Sequence, residues 1–126
     1  MDTPKNLYYT NEHEWIEIHD DIATVGITDY AQGELGDVVF VELPEIGDTV
    51  ELGTPFGTIE AVKAVADLYA PVSGEIVETN ENLEDSPELV NQSPYIDGWM
   101  VKIKMSDPAE LDTLMNDADY NKLLKG

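Results

Sequence analysis

Along the chain, apolar residues recur in short alternating runs separated by turn-forming residues. Trp15 to His19 and Ile22 to Ile27 read as two strands, joined by a hairpin turn at Asp20-Asp21. Val38 to Leu43 reads as a third strand and stops at Pro44. Val50 to Leu52, Phe56 to Val62, Val65 to Ala70, Gly74 to Thr79 and Trp99 to Lys104 follow. They are punctuated by Ile46-Gly47-Asp48, Gly53-Thr54-Pro55, Pro71-Val72-Ser73-Gly74 and Asp97-Gly98. Many short strands at turn-sized spacing predict a mainly β fold, a sandwich or barrel. Two helical pieces interrupt it. Asp29, with Gln32 three residues on, resembles a capping box opening a short helix through Leu35, ended by Gly36. A second helix is predicted from Asp107, with Pro108 at its first position and Glu110 three after the cap. Its stripe of Leu111, Leu114, Met115 and Ala118 would dock on the sheet, with Leu123 and Leu124 extending it past a break near Asp117.

One residue does not fit the pattern. In an unbroken strand from Phe56 to Ala70, alternation would place Lys63 on the same face as Ile59, Ala61 and Val65 and drag its ammonium into the core. Burying that charge unpaired costs several kcal/mol, so the strand must break there, most simply at a hairpin tip. The tip nevertheless lacks Gly, Asn, Asp and Pro, which ordinarily form tight turns. Such conflicts between local preference and topology tend to mark functional positions.

Charge sharpens the anomaly. The chain has 126 residues, enough for one domain over 1–126 that includes a helical extension at 107–124. It carries 27 Asp and Glu against 6 Lys, a formal net charge of −21. Such a surface repels phosphate backbones and anionic bilayers, so nucleic-acid and membrane-surface roles are excluded first. Lys63 stands alone among the positive charges between Lys5 and Lys102, inside the apolar run Ala61-Val62-Lys63-Ala64-Val65-Ala66 and flanked by Glu60 and Asp67. A lone amine among small neighbours is either a solubilising turn lysine or an acylation target held clear of the body, with Glu60 and Asp67 as recognition marks beside it.

Other chemistries find little support. With no cysteine there are no thiolate nucleophiles, disulfides or zinc-thiolate sites. His13 and His19, six residues apart, would lie about 20 Å from each other on an extended strand, too far for one metal ion. Asn80 to Asp85 only faintly resembles a calcium loop, with Asp85 where glycine is needed and Asn91 where glutamate is needed. There is no phosphate-binding glycine loop, and Ser73, Ser86, Ser93 and Ser106 have no base placed near them. The longest aliphatic or aromatic stretch, Val38 to Val41, has four residues. With no basic leader before the domain, the cytoplasm of a bacterium is expected, although a trimmed mature mitochondrial form would look alike.

Glu60-Ala61-Val62-Lys63-Ala64, followed by Asp67-Leu68-Tyr69-Ala70-Pro71-Val72-Ser73-Gly74-Glu75-Ile76-Val77, resembles the lipoyl-lysine hairpin of the glycine cleavage system H proteins. His13-Glu14-Trp15, Gly26 to Gln32, Leu35 to Pro44 and Ser93 to Met100 are similar to that family's segments in the same order. The likeness runs from about Tyr8 to Leu124. Lipoyl and biotinyl domains share a lysine on a hairpin, so the tip alone is less specific than the N-terminal block and the Pro94-Tyr95 to Gly98-Trp99 block.

The resemblance implies a hybrid barrel-sandwich fold of lipoyl/biotinyl type, with a short helix in the N-terminal half and a C-terminal helical extension. It implies a non-catalytic carrier with lipoate bound covalently to Lys63. Such a carrier takes an aminomethyl group from a pyridoxal-phosphate glycine decarboxylase, presents it to a tetrahydrofolate-dependent aminomethyltransferase, and is reoxidised by dihydrolipoamide dehydrogenase. Gly47, Glu60 and Asp67 match positions read by the lipoate-attaching enzyme. Glu14 and Asp67 match acids of a groove in which the arm parks, although Glu14 is equally readable as a solvated strand end. A monomer is expected. Ala61 stands where the family commonly has Ser, Val65-Ala66 departs from its usual pair, and Gly33 enters the short helix; the changes at 61, 65 and 66 make the tip more apolar. A biotin carrier would usually show methionines where Val62 and Ala64 stand. An unmodified interaction module or lipoate relay of the same fold stays open on composition.

Overall fold

The computed structural model describes residues 3–125 and consists of two antiparallel sheets with short helices between their strands. In chain order the strands are β1 (Tyr8–Tyr9), β2 (Glu14–His19), β3 (Ile22–Ile27), β4 (Val38–Glu42), β5 (Thr49–Val50), β6 (Pro55–Ala61), β7 (Val65–Tyr69), β8 (Gly74–Thr79) and β9 (Val101–Met105). The larger sheet has the order β1-β2-β3-β9-β8-β5 and the smaller β4-β6-β7. The alternation that predicted strands also sets which face is buried: Ile16, Val25, Ile76 and Ile103 from the larger sheet meet Val41, Ile59 and Leu68 from the smaller in one core. The mainly β fold expected from the pattern is present, with β2 to β9 each within a few residues of a predicted span; β1, two residues long, was not expected.

The turn at Asp20-Asp21 forms as expected, Asp20 taking the left-handed conformation (φ 54°) that aspartate tolerates better than most residues. Trp15 pairs with Gly26 across β2 and β3, and the missing side chain there makes room for the indole, whose Nε1 donates to Pro94 O at 2.9 Å.

The helices depart further from expectation. α1 (Asp29–Leu35) has the predicted span, but its cap is Thr28, whose hydroxyl accepts from Ala31 N; Asp29 instead accepts from the Gln32 side chain at 2.7 Å. Two four-residue helices, α2 (Asn82–Asp85) and α3 (Leu89–Gln92), lie in a stretch without helical periodicity and bury only Leu83 and Val90. The helix predicted from Asp107 through Ala118 does not form as one element, although the expected break near Asp117 is present. A 3₁₀ turn (Pro108–Thr113) is capped by Asp107 and ends at Leu114, which is extended; α4 (Asp117–Lys125) then starts afresh. Between them Met115 exchanges two backbone hydrogen bonds of 2.8 Å with Tyr9. The residue that α4 buries is Tyr120, stacked on Tyr9 at 4.7 Å, whereas Leu123 is exposed. Leu7, Tyr9, Trp15 and Tyr120 thus form a second, aromatic cluster joining the two ends of the chain.

Candidate functional site

β6 and β7 form the hairpin that carries Lys63. Ala61 N donates to Ala64 O at 2.9 Å, leaving Val62 and Lys63 as a two-residue tip. Two-residue hairpin loops normally use left-handed residues to match the strand twist. Neither Val62 nor Lys63 has positive φ. The tip is held from outside instead: Val62 N donates to Asp37 O at 2.9 Å and Lys63 N to Leu35 O at 3.1 Å. Glycine at 36 (φ 80°) lets the chain reverse between those carbonyls, and the Lys63 stem lies directly over it. The missing turn residues are explained, because the shape of the tip is imposed by the segment following α1.

Lys63 is exposed, and among the described residues it makes no ion pair. Around it Val62 and Val65 are 72% and 66% exposed. Glu60 lies opposite Val65 in the register, also exposed, and Asp67 opposite Thr58. Asp67 is four residues from Lys63, so no more than about 14 Å of chain separates them.

A cavity of about 280 Å³ opens between the hairpin and α1. Ile27, Ile59 and Leu68 line it with buried apolar surface, Tyr30, Ala31 and Leu35 come from α1, and four carboxylates, Glu12, Glu14, Glu34 and Asp67, stand in its wall. Leu35 therefore both lines the cavity and anchors the tip. Glu14 is not a solvated strand end: it is 3% exposed, with Oε1 accepting from Thr10 Oγ1 at 2.8 Å and Oε2 from Tyr69 N at 3.1 Å. Burial pushes its carboxyl up to about 7, against the opposing pull of those two hydrogen bonds. On its other side Glu14 faces a second hollow of about 390 Å³, bounded by Leu52, Pro71 and Met115. A larger hollow, about 740 Å³, runs along β5 and β8 and shares no lining residue with the cavity beside the tip.

Gly47 sits apart from this group. It is exposed in the turn between β4 and β5, left-handed at φ 99°, with its amide on Ile76 O in the larger sheet. His13 does not lie on a strand face with His19: it precedes β2 with φ 68°, packs tilted against the Tyr30 ring and shares a 2.8 Å hydrogen bond with Tyr120 Oη through Nδ1. Burial lowers its pKa, outweighing the nearby charges of Glu12 and Glu34. Tyr120 Oη also meets Thr28 Oγ1 at 2.7 Å, so the C-terminal helix braces the start of α1. Glu12, Glu34 and Tyr30 carried no signal in a chain so rich in acids, and Gly36 reads from sequence only as a helix stop.

Comparison with known proteins places this arrangement. The family model described as glycine cleavage H-protein matches residues 7–126. The chain belongs to the glycine cleavage H-protein family. It is 54% identical to the glycine cleavage system H protein of Staphylococcus haemolyticus over 98% of both chains. It is 53% identical to that of Bacteroides thetaiotaomicron over 100% of both. The crystal structure of the Mycobacterium marinum H protein superposes with a TM-score of 0.91 at 38% identity, covering 98% of this chain and 100% of that one. Members of the family are non-catalytic carriers of the aminomethyl group in the glycine cleavage system, bear lipoate covalently on a lysine, and interact with its P, T and L proteins. These are the glycine decarboxylase, aminomethyltransferase and dihydrolipoamide dehydrogenase that the resemblance implied. No helix of the described residues is long and apolar enough to cross a membrane.

Proposed function

We propose that Lys63 is the residue through which this carrier holds lipoate, by an amide on Nζ. The observation that carries the reading is the exposed, unpaired lysine on a tip whose backbone is anchored beside an acid-walled cavity. The fit is chemical as well as spatial: a free primary amine is available for acylation, and apolar surface from Ile27, Ile59 and Leu68 suits a slender aliphatic arm. Lipoate supplies a disulfide that opens and re-forms, and so can take up and surrender a one-carbon amine.

The chain's own residues do the rest by position and charge. Tethering a substrate at Lys63 raises its effective concentration at each docked enzyme. Glu14 and Asp67, with Glu12 and Glu34, offer acceptors to a cationic amine entering the cavity, and the apolar lining keeps water from it. Glu60 and Asp67, beside Lys63, and Gly47, in its separate turn, are the positions through which a lipoate-attaching enzyme reads the protein. The bacterial sources of the relatives favour the cytoplasm, and the net charge of −21 favours a monomer.

Intact-mass measurement of protein produced with and without lipoate tests the assignment. One lipoyl adduct is expected on the native chain and none on Lys63→Arg; an adduct persisting in the variant, on another lysine, overturns it.

A further inference from the structure

The lysine tip has no turn chemistry of its own, and the carbonyls that hold it belong to a segment that needs support in turn. α1 buries none of its residues and contains Gly33. Ala31 and Leu35 pack half-buried against the core, but neither contact fixes the orientation of the peptide units that follow the helix. The support comes from α3. Asn91 Nδ2 donates to Gly36 O at 2.9 Å and to Gln32 Oε1 at 3.0 Å, and Asn91 Oδ1 accepts from Val38 N at 2.8 Å.

These contacts interleave with those of the tip. The peptide unit joining Asp37 to Val38 gives its N–H to Asn91 and takes the Val62 amide on its carbonyl. The preceding unit, joining Gly36 to Asp37, gives its carbonyl to Asn91, and the one before that takes the Lys63 amide on Leu35 O. One side-chain amide thus holds two consecutive peptide units, of which the second carries the Val62 amide, while the unit just before them carries that of Lys63. A rigid peptide plane transmits orientation directly, since turning its N–H turns its carbonyl. Through Gln32 the same side chain also reaches the helix that walls the cavity.

From this interleaving we infer that Asn91 is a positioning residue for the attachment lysine: it fixes residues 36–38 and thereby the direction in which Lys63 is presented to the enzyme that acylates it. The inference rests on Lys63 being the acylated residue. Asn91 makes no hydrogen bond to the lysine side chain and does not line the cavity; it acts through the backbone of 36–38 and through the Gln32 side chain. Its amide serves as donor and acceptor at once. Aspartate, of the same size, keeps the acceptor for Val38 N and loses the donor for Gly36 O.

The test uses the full chain without lipoate, as wild type, Asn91→Asp and Asn91→Ala. Amide hydrogen exchange is followed at Val62 and Lys63 and, as an internal reference, at Ile76 and Ile103 in the larger sheet. Lipoyl transfer by a lipoate-attaching enzyme is measured alongside. In wild type the two tip amides should be protected. In Asn91→Asp they should exchange about tenfold faster with Ile76 and Ile103 unchanged, and kcat/KM for lipoyl transfer should fall by about tenfold. Asn91→Ala, which leaves both backbone groups unmatched, should do more; if it fails to fold, the aspartate variant and the wild-type protection decide. Unprotected tip amides in wild type, unchanged exchange in Asn91→Asp, exchange that rises equally in the sheet, or faster tip exchange with undiminished transfer each overturn the inference. A wild-type chain that gains no lipoyl group on Lys63 sinks the attachment reading instead, and the exchange data then still report whether Asn91 holds the tip.

Discussion

Glu14 and Tyr69 are joined by a hydrogen bond from the Tyr69 amide to the buried carboxyl at 3.1 Å, which fastens the end of the lysine hairpin to the larger sheet. A carboxyl in that place is easier to keep neutral than charged, and burial sets it near 7 against an ordinary value of 4.5.

The sign of the resulting pH dependence follows. Below pH 4.5 the group is protonated in both folded and unfolded chains and costs nothing. Between 4.5 and 7 the unfolded chain gives up this proton first, so the contribution to stability falls as pH rises, by about 3 kcal/mol once pH exceeds 7. Glu14→Gln keeps an acceptor for Tyr69 N without the charge. Urea midpoints should show the variant more stable than wild type at pH 8, with the gap closing toward pH 4; a gap that widens in acid would mean that the site favours the carboxylate.

Tyr120→Phe should cost about 1–3 kcal/mol, because its hydroxyl serves both Thr28 Oγ1 and His13 Nδ1 in a buried cluster while its ring stays stacked on Tyr9. Chemical denaturation measures the loss. A double-mutant cycle with Thr28→Val should give strong coupling, and simple additivity would refute the shared network.

Two glycines three residues apart should respond in opposite directions. An added methyl at Gly33 meets nothing within 4 Å inside α1, so Gly33→Ala should stabilise by about 0.5–1 kcal/mol. Gly36 holds φ 80° and ψ −163°, a region closed to other residues, with the Lys63 stem against it, so Gly36→Ala should destabilise by about 1–3 kcal/mol. Thermal midpoints of the pair decide the matter.

A chain of net charge −21 should meet its partner enzymes through basic surfaces on their side, with Glu60 and Asp67 next to the point of transfer. Aminomethyl transfer rates at limiting carrier should therefore fall as ionic strength rises through the physiological range, where the screening length is about 8 Å. Rates indifferent to salt would refute steering by charge.

The strands were legible because alternation and turn residues are local signals, and so was Lys63, because an ammonium cannot share a face with Ile59 and Val65. What escaped depends on contacts distant in sequence. The stripe from Leu111 to Ala118 has helical spacing, yet Met115 is drawn out as a strand because Tyr9 offers it two backbone hydrogen bonds. Thr28 replaces Asp29 as the cap of α1 because Tyr120 fixes its hydroxyl from the far end of the chain. Glu14 could be read as solvated or enclosed, since only the packing of β2 against the end of β7 decides between the two. Asn91 reads from sequence solely as a residue standing where a calcium loop needs glutamate, because a side chain that braces backbone leaves no periodic trace.

The pairing of β3 with β9 brings residues 22–25 against 101–104, while the lysine hairpin is built from neighbours only a few residues apart. During synthesis the larger sheet cannot close until residues 101–104 have left the ribosome, whereas the hairpin and the segment that anchors it are already outside. Emergence of residues 115–120, which bring Met115 to Tyr9 and Tyr120 to Thr28, is then the event that ties the C-terminal helix to the sheet.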